Sequence, residues 1–223
     1  MTAAVARALL LDLDGVVFRH PAAFARVDAR VAAFARAHGL PDAVHEQLYR
    51  THGHTLLGMR SLGLSVTIAD FNRFVFDARF LEEVRRLPRP DDTERHAASV
   101  RRLVAHARAR GTAAYIFTNA PRNWVHLALA TTGLGTTFEA RDVLVCEELG
   151  FLKPLPEAYR AAEERTRARL LTFVDDSVIN LRACPLPSGN NSLTWCPLHY
   201  NPRCTCNAEG WTVRDMDQVL PYI

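Results

Sequence analysis

The fold is decided by one stretch near the amino terminus, Ala8-Leu9-Leu10-Leu11-Asp12-Leu13-Asp14-Gly15. Its short apolar run ends close to an Asp-Gly pair, which is typical of a parallel strand that is buried on both faces. Ligands of an open α/β sheet bind beyond the carboxyl ends of its strands. Because Asp12 and Asp14 are two residues apart at such an end, both can face a ligand.

The chain that follows this strand has two parts: a helical part, and then a part in which strands and helices alternate. Helical periodicity covers residues 21–38, 41–57 and 69–87, and this part has no strand signal. After Asp91, predicted strands over residues 113–117, 170–174 and 192–195 alternate with helices over residues 93–110, 122–132, 156–168 and 178–183. The alternation predicts an α/β fold with a Rossmann-like parallel sheet. We expect a core domain of residues 1–17 and 91–223 and an inserted helical domain of residues 18–90.

Composition excludes several classes of function. The chain has 223 residues, of which 48% are hydrophobic and 23% charged, and its formal net charge is +3. This is room for one core with a modest insertion, and the small charge argues against a nucleic-acid binder. The sequence contains no apolar run of about 18 residues, the length of a membrane span. A signal peptide is not expected, because Asp12 and Asp14 cut the first apolar run short.

Cysteine and lysine usage add two further expectations. Five cysteines, an odd number, favour a reducing compartment, so we expect a cytoplasmic protein. The chain has 26 arginines and a single lysine, Lys153, a bias that GC-rich codons explain. The arginine-rich stretches at 85–86, 101–102 and 165–169 predict solvated helix faces, so we expect neither a nucleic-acid nor a membrane partner.

Further polar residues lie at the ends of the other predicted strands or in the loops between them: Thr118-Asn119, Lys153-Pro154 and Asp175-Asp176. Four carboxylates that converge at one sheet edge repel each other, and Mg²⁺ bound through oxygen relieves this repulsion. The Lys153 ammonium and the Thr118 hydroxyl suit phosphate oxygens. One carboxylate can attack phosphorus, and its neighbour can protonate the leaving alcohol and activate water.

Each of these segments taken alone has a simpler explanation. Asp-x-Asp-Gly can be a turn, and the Thr-Asn and Asp-Asp pairs can cap helices. An isolated lysine can be a surface residue. Their occurrence in this order, at strand and loop ends of an α/β pattern, favours one shared site.

Together, the segments resemble the haloacid dehalogenase (HAD) superfamily over nearly the whole chain. Its members share a nucleophilic aspartate in Asp-x-Asp, a Ser or Thr after the second strand, a distal Lys and a terminal acidic pair. The matching segments are Asp12-Leu13-Asp14-Gly15-Val16, Phe117-Thr118-Asn119, Lys153-Pro154 and Asp175-Asp176-Ser177. The position of the insertion is that of a helical cap of the C1 type, which closes over the site and selects the substrate.

The resemblance implies a role for each matching residue. Asp12 is the nucleophile and a Mg²⁺ ligand, and Asp14 is the general acid/base and binds Mg²⁺ through its carbonyl. Thr118 and Lys153 hold the phosphoryl group. The terminal acidic pair also binds the metal, Asp176 more directly. Asp14 implies a phosphatase, because dehalogenases of the superfamily lack an aspartate at that position. The implied metal ligands are thus Asp12, Asp14, Asp175 and Asp176.

One segment of the insertion resembles the pyrimidine 5′-nucleotidase branch of the superfamily, whose cap carries Tyr-Gly-x-Thr-Leu-Arg-Gly-Leu. Here the stretch reads His52-Gly53-His54-Thr55-Leu56-Leu57-Gly58-Met59, and Phe117-Thr118-Asn119-Ala120 also agrees. His52 stands in place of the tyrosine and Leu57 in place of the arginine. Arg60, three residues further on, is the candidate substitute for that arginine. The expected substrate contacts are therefore His52, Arg60, Thr118, Asn119 and Lys153.

The resemblance implies a Mg²⁺-dependent phosphomonoester hydrolase that works through an aspartyl-phosphate. We expect a nucleoside 5′-monophosphate or a similar small phosphometabolite as substrate, and a monomer or homodimer. Two alternatives stay open. One is a phosphatase or phosphomutase for a sugar phosphate, and the other is a non-catalytic HAD-fold binding protein.

A second group of candidate metal ligands lies near the carboxyl terminus: Cys196, His199, Cys204 and Cys206. Four thiol and imidazole ligands suit tetrahedral Zn²⁺. The spacing fits no common zinc module, so reduced thiols in a surface loop are the favoured explanation, and a zinc site here would lie apart from the catalytic site.

Histidines and aromatic residues of the insertion are further candidates for substrate contact. His52 and His54 could touch a substrate, but residues at i and i+2 of a helix do not share a face, so no shared metal is expected. The pattern of Phe71, Phe74 and Phe76 predicts the core of the insertion and not a base-stacking platform.

Overall fold

The computed structural model describes residues 6–41, 44–185, 193–204 and 211–223. Within these residues the strands are β1 (Arg7–Leu11), β2 (Thr112–Thr118), β3 (Val143–Val145), β4 (Leu170–Asp175), β5 (Thr194–Tyr200) and β6 (Thr212–Val213). They form one sheet in the order β3-β2-β1-β4-β5-β6, and neighbouring strands pair in parallel. The predicted α/β Rossmann-like fold is therefore confirmed.

β1 lies in the interior of this sheet. Leu11 pairs with Ile116 of β2 on one side and with Val174 of β4 on the other. Residues 9–11 are fully buried, as expected where helices cover both faces of a parallel sheet. From β1 the sheet extends through β2 and β3 on one side and through β4, β5 and β6 on the other, so the strand order reverses between β1 and β4. This reversal opens a crevice at the carboxyl ends of β1 and β4, where ligands of such sheets bind.

Six described helices lie between β1 and β2, and the first five are α1 (Pro21–Ala37), α2 (Val44–His52), α3 (Thr55–Ser61), α4 (Ile68–Val75) and α5 (Ala78–Arg85). The helices of the remaining described chain are α6 (Thr93–Ala109), α7 (Arg122–Thr132), α8 (Cys146–Leu149), α9 (Pro156–Thr166) and α10 (Val178–Arg182). Short 3₁₀ helices cover Ala140–Asp142 and Met216–Tyr222. Across the described ranges, none of the helices has the length and apolar character that crossing a membrane requires.

Two of the predicted helices are each divided into two. The helix expected over residues 41–57 breaks at Gly53, and the His54 side chain accepts a hydrogen bond from Leu56 N at the start of α3. The helix expected over residues 69–87 breaks at Phe76, where Asp77 caps α5 by accepting from Phe80 N. In both cases a capping side chain satisfies backbone donors that a continuous helix would have to satisfy differently.

Two short strands at the edges of the sheet were not predicted. β3 has three residues and β6 has two, which is too short for a periodic signal. The strand expected over residues 192–195 instead runs from Thr194 to Tyr200 and contains Pro197. Residues 186–192 lie outside the described chain, so the first residue of that prediction is not placed.

Phe71 and Phe76 of the insertion are buried, as predicted, whereas Phe74 is 38% exposed. Phe34 lies against Phe71 and Phe74, with ring centroids 5.2 and 5.3 Å apart. Phe76 packs on Trp124 of α7 at 5.2 Å, which joins the insertion to the core. Phe71 and Phe76 also line the cavity between the inserted helices and the sheet.

Candidate active site

A tight turn after β1 places the first two carboxylates. Val17 N and Phe18 N both donate to the Leu13 carbonyl, at 2.9 and 2.7 Å, and Gly15 N donates to the Phe18 carbonyl at 2.9 Å. Gly15 has a φ of +84°, and a Cβ added there would lie 2.0 Å from Asp176 Oδ2. Only glycine combines this backbone conformation with room for the neighbouring carboxylate.

Three carboxylates meet at the adjoining ends of β1 and β4. Asp12 follows β1, its backbone N–H donates to the Val174 carbonyl at 2.9 Å, and Asp175 and Asp176 lie at the end of β4. One carboxylate oxygen from each of Asp12, Asp175 and Asp176 lies within 4.8 Å of the others. The parallel register of the two strands brings these side chains together from distant parts of the sequence.

This donor set fits a hard divalent cation. The three groups offer only carboxylate oxygens, the ligands that Mg²⁺ and Ca²⁺ prefer. Burial raises the pKa of Asp12 well above its usual value, although Lys153 opposes the shift. The surrounding protein and Asp175 raise the pKa of Asp176 to about 7, although water in the open cavity reaches its carboxylate. After burial, the charges of the neighbouring carboxylates add to both shifts, and a bound cation would relieve this repulsion.

Lys153 is buried in the middle of this cluster. Its Nζ donates to Asp12 Oδ1 and Asp175 Oδ2, both at 2.8 Å, and to the Phe117 carbonyl at 2.9 Å. Only 1% of the lysine is exposed. Burial opposes its charge, but the carboxylates of Asp12 and Asp175 outweigh this and raise the pKa of Lys153 above its usual value. The ammonium therefore stays protonated and fixes the nucleophile candidate in place.

Asn119 holds the backbone of that lysine. Its Nδ2 donates to the Lys153 carbonyl at 2.9 Å, and Lys153 N donates to Asn119 Oδ1 at 2.8 Å. Each end of the amide makes one hydrogen bond with Lys153, but Nδ2 has a second N–H and Asn119 lines the cavity, so the expected contact with phosphate stays a prediction. Thr118 is buried and lines the cavity, and its Oγ1 accepts from Ala120 N at 3.0 Å. Because a hydroxyl also donates, Thr118 keeps a proton for a ligand.

Asp175 is surrounded by donors. Ser177 N donates to its Oδ1 at 2.7 Å, and Asn180 Nδ2 lies 3.3 and 3.1 Å from its two oxygens. With Lys153 as a further donor, this fully buried carboxylate serves to orient the lysine. Asp176, which is exposed to the cavity, is the more accessible of the acidic pair. Sequence reasoning missed Asn180, whose only signal is its place in the first turn of α10.

Asp14 has a partner that sequence reasoning also missed. The indole Nε1 of Trp124 donates to Asp14 Oδ1 at 2.9 Å and to Oδ2 at 3.2 Å. Burial raises the pKa of Asp14 to about 6, and the hydrogen bond from Trp124 opposes the shift. The fully buried Trp124 also stacks on Phe80 of the insertion at 6.1 Å. A tryptophan in the first turn of α7 gave no hint of this contact.

A cavity of about 690 Å³ lies over these residues. The sheet edge contributes its floor, with Asp12, Asp14, Thr118, Lys153 and Asp176. The inserted helices contribute the opposite side, which we call the roof and which includes Phe24, Asp28, Tyr49, His54 and Phe71. A cavity of this size suits a small-molecule ligand.

Two of the expected substrate contacts do not reach this cavity. His52 Nε2 lies 3.2 Å from Ser61 Oγ, and Arg60 Nε donates to the Val66 carbonyl at 2.8 Å. Neither residue is part of the cavity lining, whereas His54 is. The physical reason is the break at Gly53, which ends α2 and directs His54 instead of His52 toward the floor.

The second candidate metal group is only partly placed. Cys196 and Cys204 are partly buried and His199 lies in β5, while Cys206 lies outside the described residues. Among the described residues, the one group of acidic, histidine and cysteine side chains close enough to share a metal is Asp12, Asp175 and Asp176.

Comparisons with known proteins agree with this geometry. A family model described as haloacid dehalogenase-like hydrolase matches residues 6–184. No curated protein sequence matches the chain significantly.

Several solved structures share the fold at low identity. The HAD-hydrolase YfnB from Bacillus subtilis bound to magnesium is 19% identical, covers 96% of this chain and 97% of its own, and has a TM-score of 0.57. CbbY from Rhodobacter sphaeroides in complex with phosphate is 18% identical, with 96% of each chain covered and a TM-score of 0.60. L-2-haloacid dehalogenase from Xanthobacter autotrophicus with chloropropionic acid covalently bound is 14% identical, with 97% of each chain covered and a TM-score of 0.52.

Proposed function

Because the chain belongs to the haloacid dehalogenase-like hydrolases, we propose that it is a Mg²⁺-dependent phosphomonoesterase that forms a phosphoryl intermediate on Asp12. The pairing of Asp12 with Asp14 carries this proposal. One carboxylate lies against the Lys153 ammonium, and the other lies against the Trp124 indole, so their surroundings differ. Two acids in different surroundings can take different roles in one reaction.

The reaction divides between these two residues. Lys153 occupies Asp12 Oδ1, which leaves Oδ2 to attack phosphorus. The bond from phosphorus to the alcohol oxygen breaks, and that oxygen takes the proton that Asp14 carries. Asp14, now a carboxylate, accepts a proton from water as the water oxygen attacks phosphorus. The bond from Asp12 to phosphorus then breaks, and phosphate leaves.

The other floor residues hold the phosphoryl oxygens. The Thr118 hydroxyl is a donor for them. The three N–H groups of Lys153 are engaged by Asp12, Phe117 and Asp175, so its ammonium contributes positive charge beside the phosphoryl group, and Asn119 keeps the lysine in place. Asp12 and Asp176 would hold Mg²⁺ together with the carbonyl of Asp14 that the family pattern implies. When bound, Mg²⁺ supplies positive charge that stabilises the phosphoryl oxygens.

We propose a nucleoside 5′-monophosphate or a similar small phosphometabolite as the substrate. The cavity of about 690 Å³ lies within the range of small-molecule sites, and the roof brings aromatic side chains over the floor. These features support a leaving group that has an apolar face.

A phosphate-release assay with Mg²⁺ over a panel of nucleotides and sugar phosphates tests this function. We expect Asp12→Asn to lower turnover by at least about 1,000-fold, because the variant lacks the nucleophile. The matched control is Asp91→Asn, an exposed aspartate in the loop before α6, which should keep full activity. Undiminished phosphate release by Asp12→Asn would overturn the proposal, and release of halide from 2-haloacids without any phosphatase activity would replace it.

A further inference from the structure

The corner between α2 and α3 rests directly on the catalytic loop. Gly53 has a φ of +74°, and a Cβ added there would lie 3.0 Å from Pro154 Cδ and 3.1 Å from Ile179 Cγ2. Pro154 follows Lys153, so this contact holds the corner beside the phosphoryl site. The next residue, His54, lines the cavity. Its side chain is thus placed where the leaving group of a phosphate ester would lie.

The hydrogen bonds of His54 determine which of its ring nitrogens can meet a ligand. Nδ1 accepts from Leu56 N at 3.2 Å, so a neutral ring carries its proton on Nε2. Among the described residues, none forms a hydrogen bond with Nε2. The ring also packs against Phe71, with centroids 5.1 Å apart, which restrains its orientation. Burial and the nearby Arg60 lower the pKa of His54 to about 4, so at neutral pH it is an uncharged donor.

The charges of the roof oppose a second anionic group. Its charged lining residues are two carboxylates, Asp28 and Glu46, and one guanidinium, Arg50. Arg50 forms an ion pair with Glu46 one helical turn away, so its charge is already compensated. The imidazole of His45 also lines this side. Burial raises the pKa of Asp28 and the nearby His45 lowers it. The carboxylate of Asp28 would repel a carboxylate or a second phosphate on the leaving group.

Apolar side chains complete the roof. Phe24, Val27, Val31 and Phe71 line it between the polar groups. Such a wall suits a ring or another apolar face of a ligand.

We propose that the cavity takes the monophosphate of an uncharged alcohol, and that His54 Nε2 donates to a hydrogen-bond acceptor on that alcohol. This rests on the proposed phosphomonoesterase function and adds its substrate class. The charge of the roof disfavours esters with a second phosphate or a carboxylate on the leaving group. His54 is a specificity-determining residue in this assignment.

Paired substrates test the charge part of this proposal. Each pair differs by one anionic group: a nucleoside 5′-monophosphate against its 3′,5′-bisphosphate, ribose 5-phosphate against ribose 1,5-bisphosphate, and glycerol phosphate against phosphoglycerate. We expect the less charged member to have a kcat/KM at least about 10-fold higher. Asp28→Asn should reduce the ratio between the kcat/KM values of the two members of a pair. Asp70→Asn, an exposed substitution on α4 outside the cavity, should leave this ratio unchanged. A preferred substrate with a second anionic group would overturn the proposal.

A variant of His54 tests the donor. His54→Ser keeps a side chain that can cap α3 but removes the Nε2 donor, so α3 should still form. We expect KM for the preferred monophosphate to rise about 10-fold. With phenyl phosphate, whose leaving group has no further acceptor, the rise in KM should be clearly smaller than with the preferred monophosphate.

The same assays separate this proposal from the function on which it rests. Equal loss of both activities in His54→Ser would overturn the role of His54. Hydrolysis of phenyl phosphate that requires Asp12, combined with a preference for bisphosphates, would overturn the substrate class and leave the phosphatase function standing. If none of these esters is hydrolysed, both the substrate class and the phosphatase function are wrong.

Discussion

The floor and the roof of the cavity hold their polar side chains in different ways. On the floor, Lys153 donates to three acceptors and Asp175 accepts from three groups, and both side chains are buried in the sheet edge. On the roof, His54 makes one hydrogen bond through a helix cap, and Arg50 pairs with Glu46 on an exposed helix face. The register of the parallel strands fixes the positions of the floor side chains, whereas the ends of helices determine the positions of the roof side chains. Substitutions in the floor should therefore abolish turnover, and substitutions in the roof should change which substrate is preferred.

The largest expected effect comes from the lysine of the floor. Lys153→Arg should lower turnover by about 1,000-fold, because a wide planar guanidinium cannot replace a compact ammonium in a fully buried position. Steady-state kinetics with the preferred monophosphate measure this, and Arg89→Lys, an exposed substitution before α6, is the control. Near-normal turnover of Lys153→Arg would mean that the floor accepts a guanidinium and is not rigid.

A glycine of the floor should have the next largest effect. In Gly15→Ala the new Cβ would lie 2.0 Å from Asp176 Oδ2, which displaces that carboxylate. Turnover should fall by about 100-fold, and a higher Mg²⁺ concentration should be needed for half-maximal activity. Gly63→Ala is a matched control, because Gly63 has the same φ of +84° but nothing within 4 Å of its added Cβ. If both variants lose activity equally, backbone strain and not the contact with Asp176 is responsible.

Trp124 connects the two sides, because it donates to Asp14 and packs on the inserted Phe76 and Phe80. Trp124→Phe should lower kcat for alkyl phosphates by about 10-fold, since the positioning donor of Asp14 is lost. p-Nitrophenyl phosphate should suffer less, because its leaving group departs without protonation. Trp195→Phe, which removes an indole that donates to Glu163, is the control. An equal loss on both substrates would contradict a role for Trp124 through Asp14.

The smallest effect is expected where the roof meets the floor. In Gly53→Ala the added Cβ presses on Pro154 and Ile179, so the corner that carries His54 should move away. We expect KM to rise about threefold with kcat almost unchanged, as measured against Gly63→Ala. A drop in kcat without a change in KM would show that the roof takes part in the chemistry.

The same contrast explains what could be predicted from the sequence. The buried run before Asp12 and the strand-end polar pairs indicated both the sheet and its catalytic edge, because parallel strands bring their carboxyl ends together. Lys153 stood out as the single lysine. The partners Trp124 and Asn180 could not be predicted, since each depends on how a helix packs against a strand end. The sequence named both His52 and His54 as possible substrate contacts but could not show that only His54 lines the cavity, because the break at Gly53 depends on a capping side chain and a close contact with the core.

Trapping the phosphorylated enzyme tests the central claim most directly. Acid quenching during turnover of the preferred monophosphate, followed by borohydride reduction, converts an aspartyl-phosphate to homoserine, which peptide mass spectrometry locates. The account predicts homoserine at residue 12 in the wild type and none in Asp12→Asn. Rapid phosphate release without a modified residue 12, or homoserine at Asp14 or Asp176 instead, would contradict it.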